Sequence, residues 1–375
     1  MNLNETQLQI LKLINLNLEI SRKELSVCSG LSRAAVTLIT RELINQNYII
    51  EGKERTSSGP GRKEVNLQPN PDRFRFLGID IGGHSIRMAL SDNNLKLLYQ
   101  REIAMADFEH ITNKLEALSE QILNFLQQND FPVASLDAIG IGVTGIVNLE
   151  LSHILNIPNA AGWDDLPIVA ELQKTFGCPV FLEEGGRTMA MAEKLVGKAK
   201  DVDNFIVAHF GKGIVAGIVN HGQLIRGASN VGGLLGHITV NENGERCTCG
   251  NFGCLETYGL FQIIENNYRI LDQSPPSLVE AYQQNNKAAL ELCIEAGNFI
   301  GIALSNIVNL FNPQSIYLGG HLFESLPLVL EELKRTVRRR ANRFANVVLE
   351  FELSSFGNLQ GIYGAITLAK SKLLS

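Results

Sequence analysis

Phe76-Leu77-Gly78-Ile79-Asp80-Ile81-Gly82-Gly83 is an apolar run that closes on Asp-x-Gly-Gly, and Ile86 to Leu90 follows it as a second apolar run. Two strands joined by a tight glycine turn are the natural reading, since such a turn brings backbone N–H groups close to an anion. Taken alone, the pattern is more commonly that of an ordinary β-turn. It recurs, however, in Gly140-Ile141-Gly142-Val143-Thr144-Gly145, in Gly211-Lys212-Gly213-Ile214 and in Leu318-Gly319-Gly320-His321. Longer helical stretches, 111–128 and 289–311, separate these strands. The layout is α/β, with ligand-facing loops at the strand ends.

Upstream of this body the pattern is different. Leu8, Ile10, Leu11, Leu13 and Ile14 recur at helical spacing and predict a first helix over 4–16. Ser21 with Glu24 three positions later is a capping-box pattern for a second helix. Gly30 marks a turn, and Ser32 caps a third helix. Residues 21–43 therefore read as helix-turn-helix. Ala35, Val36, Ile39 and Leu43 make the inward stripe of the third helix, which leaves Ser32, Arg33, Thr37, Thr40 and Arg41 for base edges and phosphates. Tyr48-Ile49-Ile50 and Glu64–Leu67 read as two strands. The polar loop between them carries Arg55, Arg62 and Lys63, which makes it a wing able to follow a phosphate backbone. The expected partner is double-stranded DNA. Gln68-Pro69-Asn70-Pro71 reads as a short stiff linker.

Composition is compatible with this division. The chain has 375 residues and 45% hydrophobic content, enough for more than one core. Residues 1–70 hold nine Lys/Arg against seven Asp/Glu, a net of +2, which leaves −8 of the overall −6 for the remainder. No stretch reaches about eighteen consecutive apolar residues, and the start lacks the basic, then apolar, order of a secretory signal. No membrane association and a cytoplasmic location are expected. Of the six cysteines, Cys28, Cys178 and Cys293 stand alone and are expected to be buried. Cys247, Cys249 and Cys254 cluster, and His237 lies shortly before them. One imidazole and three thiolates form a closed tetrahedral set suited to a structural Zn²⁺. The basic run from Lys334 to Arg343 is expected to be a solvated helix face.

The body resembles the ROK family of sugar kinases and sugar-responsive repressors over nearly all of 74–375. Three stretches carry the resemblance: Gly78–Gly83 resembles its first phosphate motif, Pro158-Asn159 before Gly162-Trp163 its sugar-contact loop, and Gly236-His237 with Cys247-x-Cys249-Gly250-x-x-Gly253-Cys254-Leu255-Glu256 its zinc segment. The resemblance implies an actin-like, hexokinase-like fold of two α/β lobes, here 74–183 with 355–375 and 184–354 with the zinc site. The winged helix-turn-helix of 1–70 precedes them. That order is the arrangement of the family's repressors of the NagC and Mlc type. It implies a homodimer or homotetramer, and control by a sugar-derived effector or a regulatory protein. Asn159, Glu184, His237 and Glu256 are the implied effector contacts.

The same resemblance argues against an enzyme. The kinase pattern Glu-Asn-Asp-Ala-Asn corresponds here to Glu183-Glu184-Gly185-Gly186-Arg187, so the catalytic Asp falls on Gly185, which has no proton acceptor. The family's sugar-binding Glu falls on Leu234. His84 and Lys212 stand where Thr is usual in the nucleotide loops. Glu183-Glu184 is expected to be a solvated turn. Two alternatives remain: a sugar kinase whose base has shifted to Glu184, and a constitutive DNA-binding protein whose body only dimerises.

Overall fold

The computed structural model describes residues 3–55, 64–150, 152–158, 160–272 and 274–374. The N-terminal domain consists of α1 (Glu5–Asn17), β1 (Ile20–Ser21), α2 (Arg22–Ser29), α3 (Arg33–Asn45), β2 (Ile49–Arg55) and β3 (Glu64–Pro69). Its helix starts follow from side-chain capping. Asn4 accepts from Gln7 N at 2.9 Å, Ser21 from Glu24 N at 3.2 Å, and Ser32 from Ala35 N at 3.2 Å. Glu24 returns a bond to Ser21 N at 2.8 Å, which completes the expected capping box. α2 ends at Gly30, whose φ of +72° suits glycine and opens the turn into α3. The strand order is β1-β3-β2, all antiparallel, and β1 is a two-residue strand that the sequence reading did not contain.

The body is built on two five-stranded sheets of the same topology. The first holds β4 (Phe76–Ile81), β5 (Ser85–Ser91), β6 (Leu97–Ala104), β7 (Ala138–Val143) and β10 (Val180–Glu184), in the order β10-β7-β4-β5-β6. Between them lie α4 (Lys114–Gln128), the small hairpin β8 (Ile146–Asn148) and β9 (His153–Asn156), and α5 (Ile168–Phe176). α6 (Gly185–Leu195) leads into the second sheet. That sheet holds β11 (Phe205–Phe210), β12 (Ile214–Asn220), β13 (Gln223–Leu224), β14 (Ser315–Gly319) and β15 (Glu350–Leu353), in the order β13-β12-β11-β14-β15. In each sheet the first strand pairs antiparallel with the second and parallel with the fourth. Helices α7 (Glu256–Gly259), α8 (Phe261–Leu271), α9 (Leu278–Gln283), α10 (Lys287–Phe311), α11 (Leu322–Ser325) and α12 (Pro327–Arg340) cover the second sheet, and α13 (Gln360–Leu373) returns to the first. α10 is long and apolar enough to span a membrane by composition, yet Leu292, Cys293, Ile300, Leu304 and Val308 are buried in the core of the second lobe.

Two features hold the molecule together at its centre. α6 lies against β12, where Gly186 and Gly217 let the backbones meet. A Cβ on Gly217 would lie 2.2 Å from Gly186 O. The buried Glu193 of α6 reaches the turn after β15, accepting from Ser355 N at 2.7 Å, Ser354 Oγ at 2.8 Å and Ser355 Oγ at 2.7 Å. A buried carboxylate that accepts this many bonds fixes the contact between α6 and the turn after β15. The N-terminal domain is docked on the body through a shared core that runs from Ile10, Leu11 and Leu67 to Phe74, Phe76, Ile366 and Leu374. Arg73 lies over the rings of Tyr48 and Phe74 at 4.5 and 4.6 Å.

Candidate functional site

The outward face of α3 is the first site. Arg33, Thr37 and Arg41 are exposed at four-residue intervals, with Ala34 and Leu38 beside them, while Val36 and Leu43 are fully buried. Thr40 does not belong to this face. It is fully buried, and its hydroxyl accepts from Arg22 Nε at 3.0 Å and donates to Thr37 O at 3.3 Å. Arg22 continues to Glu51 at 2.8 Å, so Thr40 is part of a tie between α2, α3 and β2. Helical spacing alone could not distinguish Thr40 from Thr37, because one sits at the edge of the inward stripe and the other just outside it. Ser32 is exposed and caps α3. Arg55 is the last residue of β2, and Arg62 and Lys63 lie outside the described residues. Cys28, expected to be buried, is exposed, whereas Cys178 and Cys293 are buried.

The second site is the His/Cys cluster. The ligand atoms of His237, Cys247, Cys249 and Cys254 all lie within 4.8 Å of one another. His237 Nδ1 is 3.6 Å from Cys247 Sγ, and Cys249 Sγ is 3.7 Å from Cys254 Sγ. A tetrahedral zinc with bonds of about 2.3 Å to sulfur and 2.0–2.1 Å to nitrogen places its ligands about 3.5–3.8 Å apart. The side chains present therefore fit that ion. The loop closes on itself through Cys247 N to Asn251 O at 2.8 Å and Gly253 N to Glu245 O at 2.8 Å. Because Nδ1 faces the thiols, Nε2 of His237 is left for a different partner.

The third site is the junction of β10 and α6. Glu183 and Glu184 are not a solvated turn: they are 3% and 9% exposed. Glu184 is the N-cap of α6, with Oε1 accepting from Gly186 N at 2.8 Å and Oε2 from Arg187 N at 3.0 Å. Burial outweighs the neighbouring Arg187 charge and these bonds, and pushes the Glu184 carboxyl up to about 7. Glu183 is the centre of an Arg-Glu-Arg group. It accepts from Arg187 Nε at 2.7 Å and from Arg226 Nη2 at 2.8 Å. Burial opposes the charged form of Glu183, but Arg187, the Glu184 N–H and Arg226 together hold it below the usual carboxylate range. Arg187 is fully buried, and its Nη1 reaches Asn230 O at 3.0 Å. It bridges the start of α6 to the loop 225–233. The spatial role of Arg226 had no local signal in the sequence, since it lies 43 residues from Glu183 in the chain.

The remaining residues that the resemblance singled out divide. Glu256 opens α7, and its Oε1 accepts from Ile214 N at 2.9 Å. Its side chain also lies beside Gly236, so Glu256 and His237 are neighbours. Leu234 is 46% exposed. Asn159 lies outside the described residues. Gly185 is the first residue of α6, and a Cβ there would meet Thr144 Oγ1 at 3.3 Å and Val143 O at 3.4 Å, close contacts without overlap. On the facing β4–β5 hairpin, Asp80 is paired across the strands with Arg87, which binds its carboxylate.

These elements define a two-lobed body of duplicated sheets with a Cys/His loop, carrying a small helical domain at its N-terminus. The ROK family model matches residues 76–372, and the chain belongs to the ROK family. It is 29% identical over 385 residues to the xylose repressor of Caldicellulosiruptor bescii, covering 98% of this chain and 96% of that one. Among solved structures it is similar to a ROK family transcriptional regulator that is a homologue of the Escherichia coli MLC protein. That match has TM-score 0.80, 28% identity, and covers 98% of this chain and 96% of the other. A ROK hexokinase from Thermus thermophilus matches with TM-score 0.64 and 27% identity, covering 80% of this chain and 99% of its own.

Proposed function

We propose that this chain is a DNA-binding repressor of carbohydrate-use genes, cytoplasmic, controlled through its sugar-kinase-like body, and without kinase activity. The observation that carries the proposal is the exposed Arg33-Thr37-Arg41 face of α3, in a helix-turn-helix packed on the ROK body. α3 is the recognition helix. Ser32 and Arg33 sit at its N-terminal end, where base edges are read, and Arg41 takes phosphate or base. The strands β2 and β3 flank the wing, whose Arg55, Arg62 and Lys63 follow the backbone. The full-length match to repressors supports this reading, and the hexokinase match spans only the share of the chain expected for the body.

A homodimer places two recognition helices in successive major grooves, about 34–36 Å apart, on a near-palindromic operator. The effector sits between the lobes, against His237 Nε2, Glu256 and Asn159. His237 and the thiolates of Cys247, Cys249 and Cys254 would hold a structural Zn²⁺, which would fix the imidazole and leave Nε2 for the ligand. A bound sugar-derived ligand shifts the population of lobe positions and so the spacing of the two wings.

Phosphoryl transfer is absent because position 185 has no carboxylate and Glu184 does not replace it. A base must reach the sugar hydroxyl, whereas both oxygens of Glu184 accept helix N–H bonds. Asp80 is likewise occupied by Arg87. The test is a salt-dependent binding titration on genomic fragments. Specific binding that weakens steeply with salt and disappears in Arg33→Ala/Arg41→Ala supports the proposal. Equal binding of all fragments by wild type and variant overturns it.

A further inference from the structure

A cavity of about 250 Å³ lies where the N-terminal domain meets the body, away from the interlobe cleft. Leu16 of α1, Leu95 of the β5–β6 turn, Leu195 at the end of α6 and Leu374 after α13 form its apolar wall. The polar groups on that wall are unusual. Lys370 is 5% exposed, and its ammonium meets only a backbone carbonyl, that of Asn93. Lys12 of α1 also lines the cavity. Among the described residues Lys370 makes no direct ion pair, and Asp92 is the carboxylate that acts on it. Thr367, 2% exposed, has an Oγ1 without a partner, and Asn15, 3% exposed, has an unpartnered Oδ1.

A buried ammonium whose nearest carboxylate, Asp92, acts on it without a direct ion pair is costly, and the cost is relieved by an anion that enters with it. Burial depresses the Lys370 ammonium to about 7, and the Asp92 carboxylate only partly offsets it. The apolar wall asks for a hydrocarbon or aromatic body, and two lysines with one hydroxyl ask for a compact anion.

We propose that this cavity is a second ligand site that binds a small amphipathic monocarboxylate, its carboxylate on Lys370, Lys12 and Thr367 and its apolar body against Leu16, Leu95 and Leu195. A hydroxyl on that body, where present, donates to Asn15 Oδ1. The ligand touches α1 of the N-terminal domain and α6 and α13 of the body at once. It therefore sets how the DNA-reading domain sits on the body. α6 begins just after its cap Glu184 and ends at this cavity, so the site lies at the far end of the helix whose start the proposed effector would contact.

The test is calorimetric titration of the full chain with octanoate and benzoate, and with 1-octanol and benzyl alcohol as uncharged counterparts. One carboxylate binding saturably per chain, at least about tenfold tighter than its alcohol, is expected. Lys370→Met and Lys12→Met should each weaken that binding by about tenfold or more. Leu16→Trp, at a 41% exposed position, should fill the space and abolish it. Lys12→Met and Leu16→Trp change partly exposed residues, so they keep the test decisive if Lys370→Met fails to fold. Absence of saturable binding by either acid overturns the proposal. So do alcohols that bind as tightly as the acids, or affinity unchanged in both Lys12→Met and Leu16→Trp. The measurement uses no DNA, so its failure is separable from failure of the repressor reading.

Discussion

Replacing Arg187 with Met tests how the start of α6 is held against the loop 225–233. The guanidinium is fully buried between Glu183 Oε1 at 2.7 Å and Asn230 O at 3.0 Å. Arg187→Met keeps much of the side-chain volume but leaves the 3% exposed Glu183 with Arg226 alone, and strands the Asn230 carbonyl. Removing one member of a buried ion pair costs about 3–5 kcal/mol, most of it from the charge left behind. The double variant Glu183→Gln/Arg187→Met removes that charge as well, so it should recover about half or more of the loss. Urea unfolding followed by the fluorescence of Trp163, the single tryptophan, reads both values. Zinc content measured alongside confirms that the 237–254 loop is intact. An Arg187→Met loss below about 1 kcal/mol, within the range of an exposed pair, would refute the assignment of a buried Arg-Glu-Arg tie. A double variant less stable than the single would refute the charge argument.

Other outcomes follow from the same geometry. Elemental analysis of purified protein should give one zinc per chain, and Cys254→Ser, at a fully buried position, should lower it and destabilise the loop. No ATP-dependent phosphorylation of hexoses or amino sugars is expected; a turnover of about one per second that Glu184→Gln abolishes would restore the kinase reading. Glu184 keeps its proton in the folded protein up to about pH 7, but releases it near the ordinary carboxylate value when unfolded. Its contribution to stability is therefore fully present below about pH 4.5 and is lost as pH rises to about 7, by up to about 3 kcal/mol. Glu184→Gln should flatten the stability profile between pH 5 and 7, and an unchanged slope counts against the buried cap. Thr40→Val should cost about 1–2 kcal/mol of stability through the lost Arg22 bond while leaving the preferred DNA sites unchanged; a changed site preference would return Thr40 to the reading face.

What the sequence made legible was local. The capping Ser21 and Ser32, the Gly30 turn and the inward stripe on Val36 and Leu43 depend on spacings of a few residues. The Cys247–Cys254 cluster likewise needed only ligand chemistry and a nearby His. The failures were questions of which neighbour a residue meets across the fold. Thr40 lies one residue from Arg41, yet faces Arg22, and only packing decides that. Glu183 looks like surface charge until Arg226, from a loop beyond β13, is brought over it, and Glu184 until it is seen to cap α6. Cys28 belongs to a helix whose single buried residue is Leu25, so its exposure depends on how little of α2 the domain covers. The duplicated sheet order was also hidden, since it resides in strand pairing and not in any repeated string of residues.

Sequencing of genomic DNA retained by the purified full-length chain, run in parallel with the Arg33→Ala/Arg41→Ala variant, tests the central claim most directly. The account predicts a small set of near-palindromic sites beside carbohydrate-use genes for the wild type, and their loss in the variant. Retention of no specific DNA by the wild type, or an identical set of sites for both proteins, would contradict it.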